Sequence, residues 1–152
     1  MKSNNKIAVI SSRFNPEITG NLIKGALKLF SENNISEDKI TFYNVPGAFE
    51  IPAVLEKICK KNDTLGYDGI ITIGCVIKGE TAHFEYISTA VSCNINRIAS
   101  EYSVPVGFCV LTCYTDEQAA ARSRTDICNA ETNKGYDAAS ALIEMIDLMK
   151  KI

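Results

Sequence analysis

Short apolar runs alternate with longer amphipathic segments along the chain, and this alternation restricts the fold more than any other feature. The runs have the length of buried strands, and the longer segments repeat their apolar residues at helical spacing. Because segments in that order form a parallel sheet covered on both faces, we predict a three-layer α/β/α sandwich with four parallel strands. The predicted strands span 6–11, 39–45, 70–75 and 106–112, and the predicted helices span 16–33, 48–61, 83–102, 116–122 and 135–150.

Length and charge narrow the class of protein. The 152 residues suit one domain, which we place at 1–152. A formal charge of −2, with no basic block, argues against a nucleic-acid partner. No apolar run reaches membrane-spanning length, and residues 1–12 lack the pattern of a signal peptide. We therefore expect a cytoplasmic protein with no membrane partner.

The six cysteines are interpreted as reduced structural residues. Most of them lie inside apolar strand or helix patterns, where a free cysteine behaves as a small hydrophobic residue. They form no Cys-x-x-Cys pair, and the chain has only one histidine. Zinc-ligand spacing is therefore missing, and we predict no metal site.

Ligands of open parallel sheets bind beyond the carboxyl ends of the strands. That rule gathers the loops at 12–15, 46–50, 79–83 and 114–116 at one edge. The third loop carries the sole histidine, His83, between a strand end and a helix start. Backbone N–H groups at such a corner bind anions, and an imidazole beside them can move protons. A surface histidine in a first helical turn is the alternative for this residue taken alone.

Aromatic and charged residues near the same edge have both functional and structural interpretations. Phe14 and Phe49 lie in loops, where they could stack on a planar ring or anchor the loop. Glu50 could accept hydrogen bonds from ligand hydroxyls or complement a helix dipole. Arg122 and Lys134 could bind phosphate or belong to a solvated basic surface. The glycine motifs of nucleotide binding and the Gly-x-Ser-x-Gly motif of serine hydrolases are missing.

Five motifs together resemble lumazine synthase in order and spacing over nearly the whole chain: SRFNPEIT, VPGAFEIP, GCVIKGETAHFEY, PVGFCVLTCYTDEQAAAR and NKGYDAA. The resemblance implies a flavodoxin-like sheet and an enzyme of riboflavin biosynthesis. Its expected reaction condenses 5-amino-6-ribitylaminouracil with 3,4-dihydroxy-2-butanone 4-phosphate. The resemblance also implies no cofactor. It implies a homopentamer, alone or paired to a decamer, with each active site between adjacent subunits.

The resemblance assigns roles residue by residue. Matches to pyrimidine-substrate positions are Phe14 for ring stacking, Ala48, Phe49 and Glu50 for the ribityl chain, and the backbone of Val76 and Ile77. Matches to phosphate-substrate positions are Gly79, Glu80 and Thr81, with His83 as the proton-transfer residue. Matches to groups from the neighbouring subunit are Phe108, Arg122 and Lys134, with Asp137 as an ion-pair partner for the cations.

The chain departs from the resemblance in two places. The segment 123–132 is longer than in many relatives by about four residues, and by the resemblance such a segment accompanies free pentamers. It also weakens the assignment of Lys134. The short stretch 1–5 leaves no room for the added N-terminal strand of shell-forming relatives, so we expect no sixty-subunit shell.

Two other functions fit the same fold. One is the archaeal-type riboflavin synthase, which dismutates two lumazine molecules and which the GETAHFEY segment disfavours. The other is a flavin or lumazine carrier without catalysis. A carrier needs neither a base nor a phosphate site, so His83 and Arg122 favour the enzyme.

Overall fold

The computed structural model describes residues 4–152, and four strands within them form a single parallel sheet. The strands are β1 (Ile7–Ser12), β2 (Ile40–Val45), β3 (Gly69–Ile77) and β4 (Val106–Cys113). Their order across the sheet is β2-β1-β3-β4. The register pairs Ile7 with both Ile40 and Gly69, and Ile70 with Val106. The predicted parallel sheet is confirmed, with strand ends within two residues of the predicted ones.

Helices cover both faces of this sheet. They are α1 (Pro16–Glu32), α2 (Ile51–Lys60), α3 (Asn62–Leu65), α4 (His83–Tyr102), α5 (Asp116–Ala121) and α6 (Lys134–Met149). Core residues of α1, α5 and α6 pack with one face of the sheet, and those of α2 and α4 with the other. This arrangement confirms the three-layer α/β/α sandwich. Among the described residues, no helix is both long and apolar enough to cross a bilayer.

The strand β1 shows why its sequence is apolar without interruption. Ile7 and Val9 belong to the core under α1 and α6, whereas Ala8 and Ile10 belong to the core under α2 and α4. All four side chains are buried. A strand covered on both faces needs apolar residues at every position, so period-two alternation is lost.

The predicted helix 48–61 is wrong in detail. The chain first makes a 3₁₀ turn at Ala48–Glu50, and α2 begins only at Ile51. The Glu50 carboxylate accepts a hydrogen bond from the backbone N–H of Gly47 at 2.9 Å, which stabilises the tight first turn. Pro52 in the first turn of α2 lacks an N–H group that would go unbonded there.

The short helix α3 was not predicted, because four residues are too few for a periodic pattern. This helix is held by the hydrogen bonds of one side chain instead. The Asn62 amide donates to the Tyr67 carbonyl and accepts from the Tyr67 N–H, each at 2.9 Å. Gly66, at φ 69°, provides the left-handed residue that ends the helix.

The prediction about residues 1–5 concerns a part of the chain that lies mostly outside the described residues. The described chain reaches β1 through Lys6, whose backbone N–H donates to Asp68 at 2.8 Å. The prediction that residues 1–5 form no added N-terminal strand is therefore not tested by the structure.

The helices α1 and α6 cross so closely that glycine is required at the contact. A β-carbon added to Gly135 would lie 1.9 Å from the carbonyl oxygen of Leu22. A β-carbon on Gly25 would lie 2.1 Å from Oδ1 of Asn133, whose side chain is fully buried. Because backbone atoms cannot move aside as a flexible side chain can, the crossing depends on Gly135.

Gly135→Ala should destabilise the protein by about 1–3 kcal/mol or more, since it overpacks a contact with backbone. Gly20→Ala is the matched control, because no atom lies within 4 Å of a β-carbon at that helical position. That variant should gain roughly 0.5–1 kcal/mol through its better helix propensity. Urea unfolding of both variants measures the difference, and equal stabilities would contradict the close crossing.

Candidate active site

Loops at the carboxyl edge of the sheet enclose a cavity of about 610 Å³, here called the ring cavity. It contains nine of the thirteen predicted site residues: Phe14, Ala48, Phe49, Glu50, Val76, Ile77, Gly79, Thr81 and His83. Glu80 lies in the same loop with an exposed side chain, outside the cavity lining. The sheet-edge rule therefore brings together residues separated by up to about seventy positions in the sequence.

A second cavity of about 550 Å³, here called the cation cavity, lies along β4 and α6. Its lining includes the other three predicted residues, Phe108, Arg122 and Lys134, together with Asp137. The ring cavity and the cation cavity share no lining residue. Within one chain, the cations thus lie apart from the histidine and the exposed rings.

The loop after β1 holds Phe14 outward. Arg13 donates its backbone N–H to the Val45 carbonyl at 2.9 Å, and the Asn15 side-chain amide donates to the Cys75 carbonyl at the same distance. Asn15 adopts a left-handed conformation at φ 54°, which turns the chain into α1. The loop is thereby tied to strands on both sides, and Phe14 remains 70% exposed at its tip.

Phe49 provides a second exposed ring on the opposite loop, with 61% of its surface accessible. An exposed aromatic side chain in a rigid turn can stack on a planar ligand at little entropic cost. The neighbouring Glu50 has its Oε2 atom bonded to the Gly47 N–H. Its position is therefore fixed by a hydrogen bond within the turn, a contact that neither interpretation of this carboxylate predicted.

The loop between β3 and α4 presents unbonded amides. Among the described residues, no group accepts a hydrogen bond from the backbone N–H of Gly79, Glu80 or Thr81. The His83 N–H points to the Thr81 hydroxyl at a long 3.4 Å. His83 is the first residue of α4, and its side chain is exposed. Free donors at a helix N-terminus attract an anion, and the imidazole stands beside them.

Thiols line both cavities but are poor nucleophiles. Cys75 lines the ring cavity and Cys113 lines the cation cavity. Burial raises the pKa of Cys75 to about 12, and it raises the pKa of Cys113 as well. A thiol with so high a pKa carries almost no thiolate near neutral pH. All six cysteines lie in the described part of the chain without a disulfide bond, and their interpretation as reduced structural residues stays a prediction.

Hydrogen bonds hold the cations of the cation cavity. The Arg122 guanidinium donates to the Gln118 carbonyl at 3.1 Å. The Lys134 ammonium lies 3.0 Å from the Asp137 carboxylate, which confirms the predicted ion pair for this cation. The Lys134 backbone N–H also donates to the Arg122 carbonyl at 2.8 Å, so the two cationic residues are adjacent.

The long segment between them does not separate Arg122 from Lys134. An antiparallel bridge pairs Ser123 with Asn133, and Arg124 donates its N–H to the Thr132 carbonyl at 3.1 Å. The remaining residues bulge out as a loop whose two ends are held together. The additional length therefore lies outside the cation cavity, and Lys134 keeps its predicted place near Arg122.

Sequence reasoning missed several lining residues. Gly47, Cys75, Phe84 and Ile87 also line the ring cavity. Phe84 and Ile87 fall on the apolar face of α4, where the periodic pattern indicates core and gives no sign of a cavity wall. Gly47 lies in the loop 46–50, which the sheet-edge rule had already placed at this edge, although it was given no role.

Comparison with known proteins agrees with this geometry. The family model described as 6,7-dimethyl-8-ribityllumazine synthase matches residues 4–150. A protein named 6,7-dimethyl-8-ribityllumazine synthase from Chloroherpeton thalassium is 43% identical over 147 residues. The alignment covers 97% of this chain and 90% of that protein.

Proposed function

The chain belongs to the 6,7-dimethyl-8-ribityllumazine synthase family, and we propose that it condenses 5-amino-6-ribitylaminouracil with 3,4-dihydroxy-2-butanone 4-phosphate. It is accordingly a transferase of riboflavin biosynthesis. One observation carries the proposal for the site. The ring cavity joins two exposed phenylalanine rings, a corner of unbonded amides and the sole histidine.

The ring cavity has a suitable surface for each part of the pyrimidine substrate. Phe14 stacks on the planar ring, and the turn at Ala48–Glu50 holds the ribityl chain. The backbone of Val76 and Ile77, at the end of β3, reads the polar edge of the pyrimidine. Both residues line the cavity and are only half-buried, so their backbone is within reach of a ligand.

The second substrate places its phosphate at the corner formed by Gly79, Glu80 and Thr81. Three free N–H groups there replace hydration of the phosphate oxygens, and the start of α4 adds its favourable dipole. The ketone then lies near His83. Holding both substrates together lowers the barrier through proximity and orientation.

Bonds form and break between the two substrates in this reaction, and a proton transfer accompanies each of these steps. The amine attacks the ketone, water leaves, phosphate is eliminated, and the ring closes with loss of a second water. Each step takes a proton from nitrogen or carbon or gives one to departing oxygen, which a single imidazole can do in turn. Arg122 and the corner amides stabilise the charge on the departing phosphate.

The two separate cavities support a site shared between subunits. The ring cavity has no Arg or Lys in its lining, whereas the cation cavity has Arg122 and Lys134 but no histidine. The ring cavity therefore lacks the cations that the cation cavity provides, and the cation cavity lacks the histidine of the ring cavity. A ring of subunits has interfaces in which one face meets a different face of the next subunit, so it can join the two.

We infer a homopentamer of five 16.6 kDa chains, alone or paired to a decamer, with no shell of sixty. Phe108, Arg122 and Lys134 of one subunit then complete the ring cavity of its neighbour. No metal or organic cofactor is needed for this reaction. Six free thiols suit the reducing cytoplasm that we propose as its location.

Incubating the protein with both substrates should produce lumazine absorbance and fluorescence. The same measurement tests the alternatives. An archaeal-type riboflavin synthase would instead convert added lumazine to riboflavin, and a carrier would bind flavin with no turnover. Either of those results without lumazine formation would overturn the proposed reaction.

His83→Ala should lower kcat by about 10–10⁴-fold, because general acid–base catalysis commonly contributes the upper part of that range. Spontaneous condensation of bound substrates accounts for the lower end. Binding of the pyrimidine substrate, measured by fluorescence titration, should change much less. A variant with full kcat at saturating substrates would reduce His83 to a helix-start residue.

Arg122→Ala should raise KM for the phosphate substrate far more than KM for the pyrimidine, and it should lower kcat. Mixing this variant with His83→Ala should restore part of the activity, since mixed rings contain junctions where both residues are intact. Steady-state rates before and after subunit exchange measure the recovery.

Three outcomes contradict this arrangement. Equal weakening toward both substrates would indicate a collapsed interface in place of a lost phosphate contact. Failure of complementation after demonstrated subunit exchange would place Arg122 and His83 on the same chain's part of the site. A sixty-subunit particle in light scattering would overturn the proposed assembly.

A further inference from the structure

The amide corner at Gly79–Thr81 has few hydrogen bonds or packing contacts within the loop to hold its shape. Its N–H groups make no hydrogen bond in the described chain, and a β-carbon on Gly79 would meet no atom within 4 Å. The internal contact is the long 3.4 Å bond from the His83 N–H to Thr81. A loop this open needs support from outside to keep three donors aimed at one point.

That support comes from Lys78, the residue just before the corner. Its backbone N–H donates to the Cys113 carbonyl at 2.9 Å, which fixes the end of β3 to β4. Its ammonium lies 3.2 Å from the Glu85 carboxylate, in the first turn of α4 just beyond the corner. The side chain therefore connects the two ends of the loop.

An aromatic pair forms the other side of this support. The Lys78 ammonium lies 5.7 Å from the centre of the Tyr114 ring, within the range of a cation–π contact. Tyr114 in turn packs against Phe84 with ring centres 5.9 Å apart. Phe84 lies in α4 beside His83 and lines the ring cavity. Lys78 thus contacts the first turn of α4 through Glu85 and the loop after β4 through Tyr114.

We propose that Lys78, together with Glu85 and Tyr114, is a positioning residue that keeps the amide corner in its phosphate-binding shape. This inference rests on the proposed function in one respect, that the corner receives the phosphate of a substrate. Lys78 itself is outside the ring cavity lining. It acts through the backbone of Gly79–Thr81.

The Lys78–Glu85 ion pair is exposed to solvent, so it contributes little to the stability of the fold. The two side chains are 45% and 51% exposed, and an exposed pair adds little to the free energy of unfolding. The pKa of Glu85 lies below its usual range because its own backbone N–H and the Lys78 ammonium favour the carboxylate. Glu85 is therefore ionised at neutral pH, and loss of the pair should weaken phosphate binding while the protein stays folded.

A simple effect of charge on anion binding gives a different pattern. Removing the lysine charge would weaken phosphate binding, whereas removing the glutamate charge would strengthen it. A positioning role instead predicts weakening in both cases, because either change releases the loop. Glu85→Gln is for this reason the decisive variant.

The test measures the dissociation constant of inorganic phosphate by ³¹P NMR titration of the full-length assembled protein. Lys78→Met and Glu85→Gln should each weaken binding by roughly threefold to fivefold, the range for loss of one exposed ion pair. The double variant should be no weaker than either single one, since both break the same connection. KM for the phosphate substrate should rise in parallel, with KM for the pyrimidine unchanged.

Lys150→Met is the matched control. Its ammonium lies 3.2 Å from Asp68, the same separation, but at the opposite edge of the sheet next to the start of β3. The change in charge is identical, so phosphate binding should stay as in the unchanged protein. Urea midpoints of all variants check that each remains folded.

Tighter phosphate binding by Glu85→Gln would overturn the positioning role and leave a plain charge effect. Additive losses in the double variant would also overturn it. These outcomes are independent of the reaction itself. If the unchanged protein binds phosphate but forms no lumazine, the proposed function is wrong. The phosphate titrations alone then decide whether Lys78 positions the amide corner.

Discussion

The buried amide of Asn133 connects the fold to the site. Its NH₂ group donates to the carbonyls of Asn21 and Arg124, at 3.0 and 2.9 Å. Its oxygen accepts from the N–H groups of Gly135 and Tyr136, at 2.9 and 3.2 Å. With two donors and two acceptor sites all used, the side chain is satisfied although it is fully buried. One residue thus caps α6, joins it to α1 and fixes the segment that carries Arg122.

The sequence predicted helices and strands well where buried apolar residues recur at a regular spacing. Helix α4 begins and ends at the predicted residues because its apolar positions recur on one face without interruption. The segment 48–61 was not predictable in the same way. There the turn depends on the bond from Gly47 to Glu50, and the break after α2 depends on Asn62. Single side-chain hydrogen bonds leave no periodic trace in a sequence.

The sequence predicted which residues come together at the edge of the sheet better than it predicted how they divide between two cavities. The sheet-edge rule places Phe14, Phe49 and His83 near one another, and the structure gathers them in one cavity. The division from Arg122 and Lys134 came from resemblance alone, because burial and spacing say nothing about which surfaces of a chain meet another subunit. The role proposed for Lys78 depends on contacts with the first turn of α4 and with the loop after β4, which the sequence pattern does not show.

The loop 123–132 leaves the sheet edge and returns to almost the same point. The Ser123–Asn133 bridge closes its base, so the geometry of Arg122 and Lys134 does not depend on how many residues lie between. Entropy penalises extra loop length only weakly once the ends are closed. Changes in the length of this loop should therefore leave the geometry of Arg122 and Lys134 unchanged, and the same loop is a natural place to graft a foreign peptide.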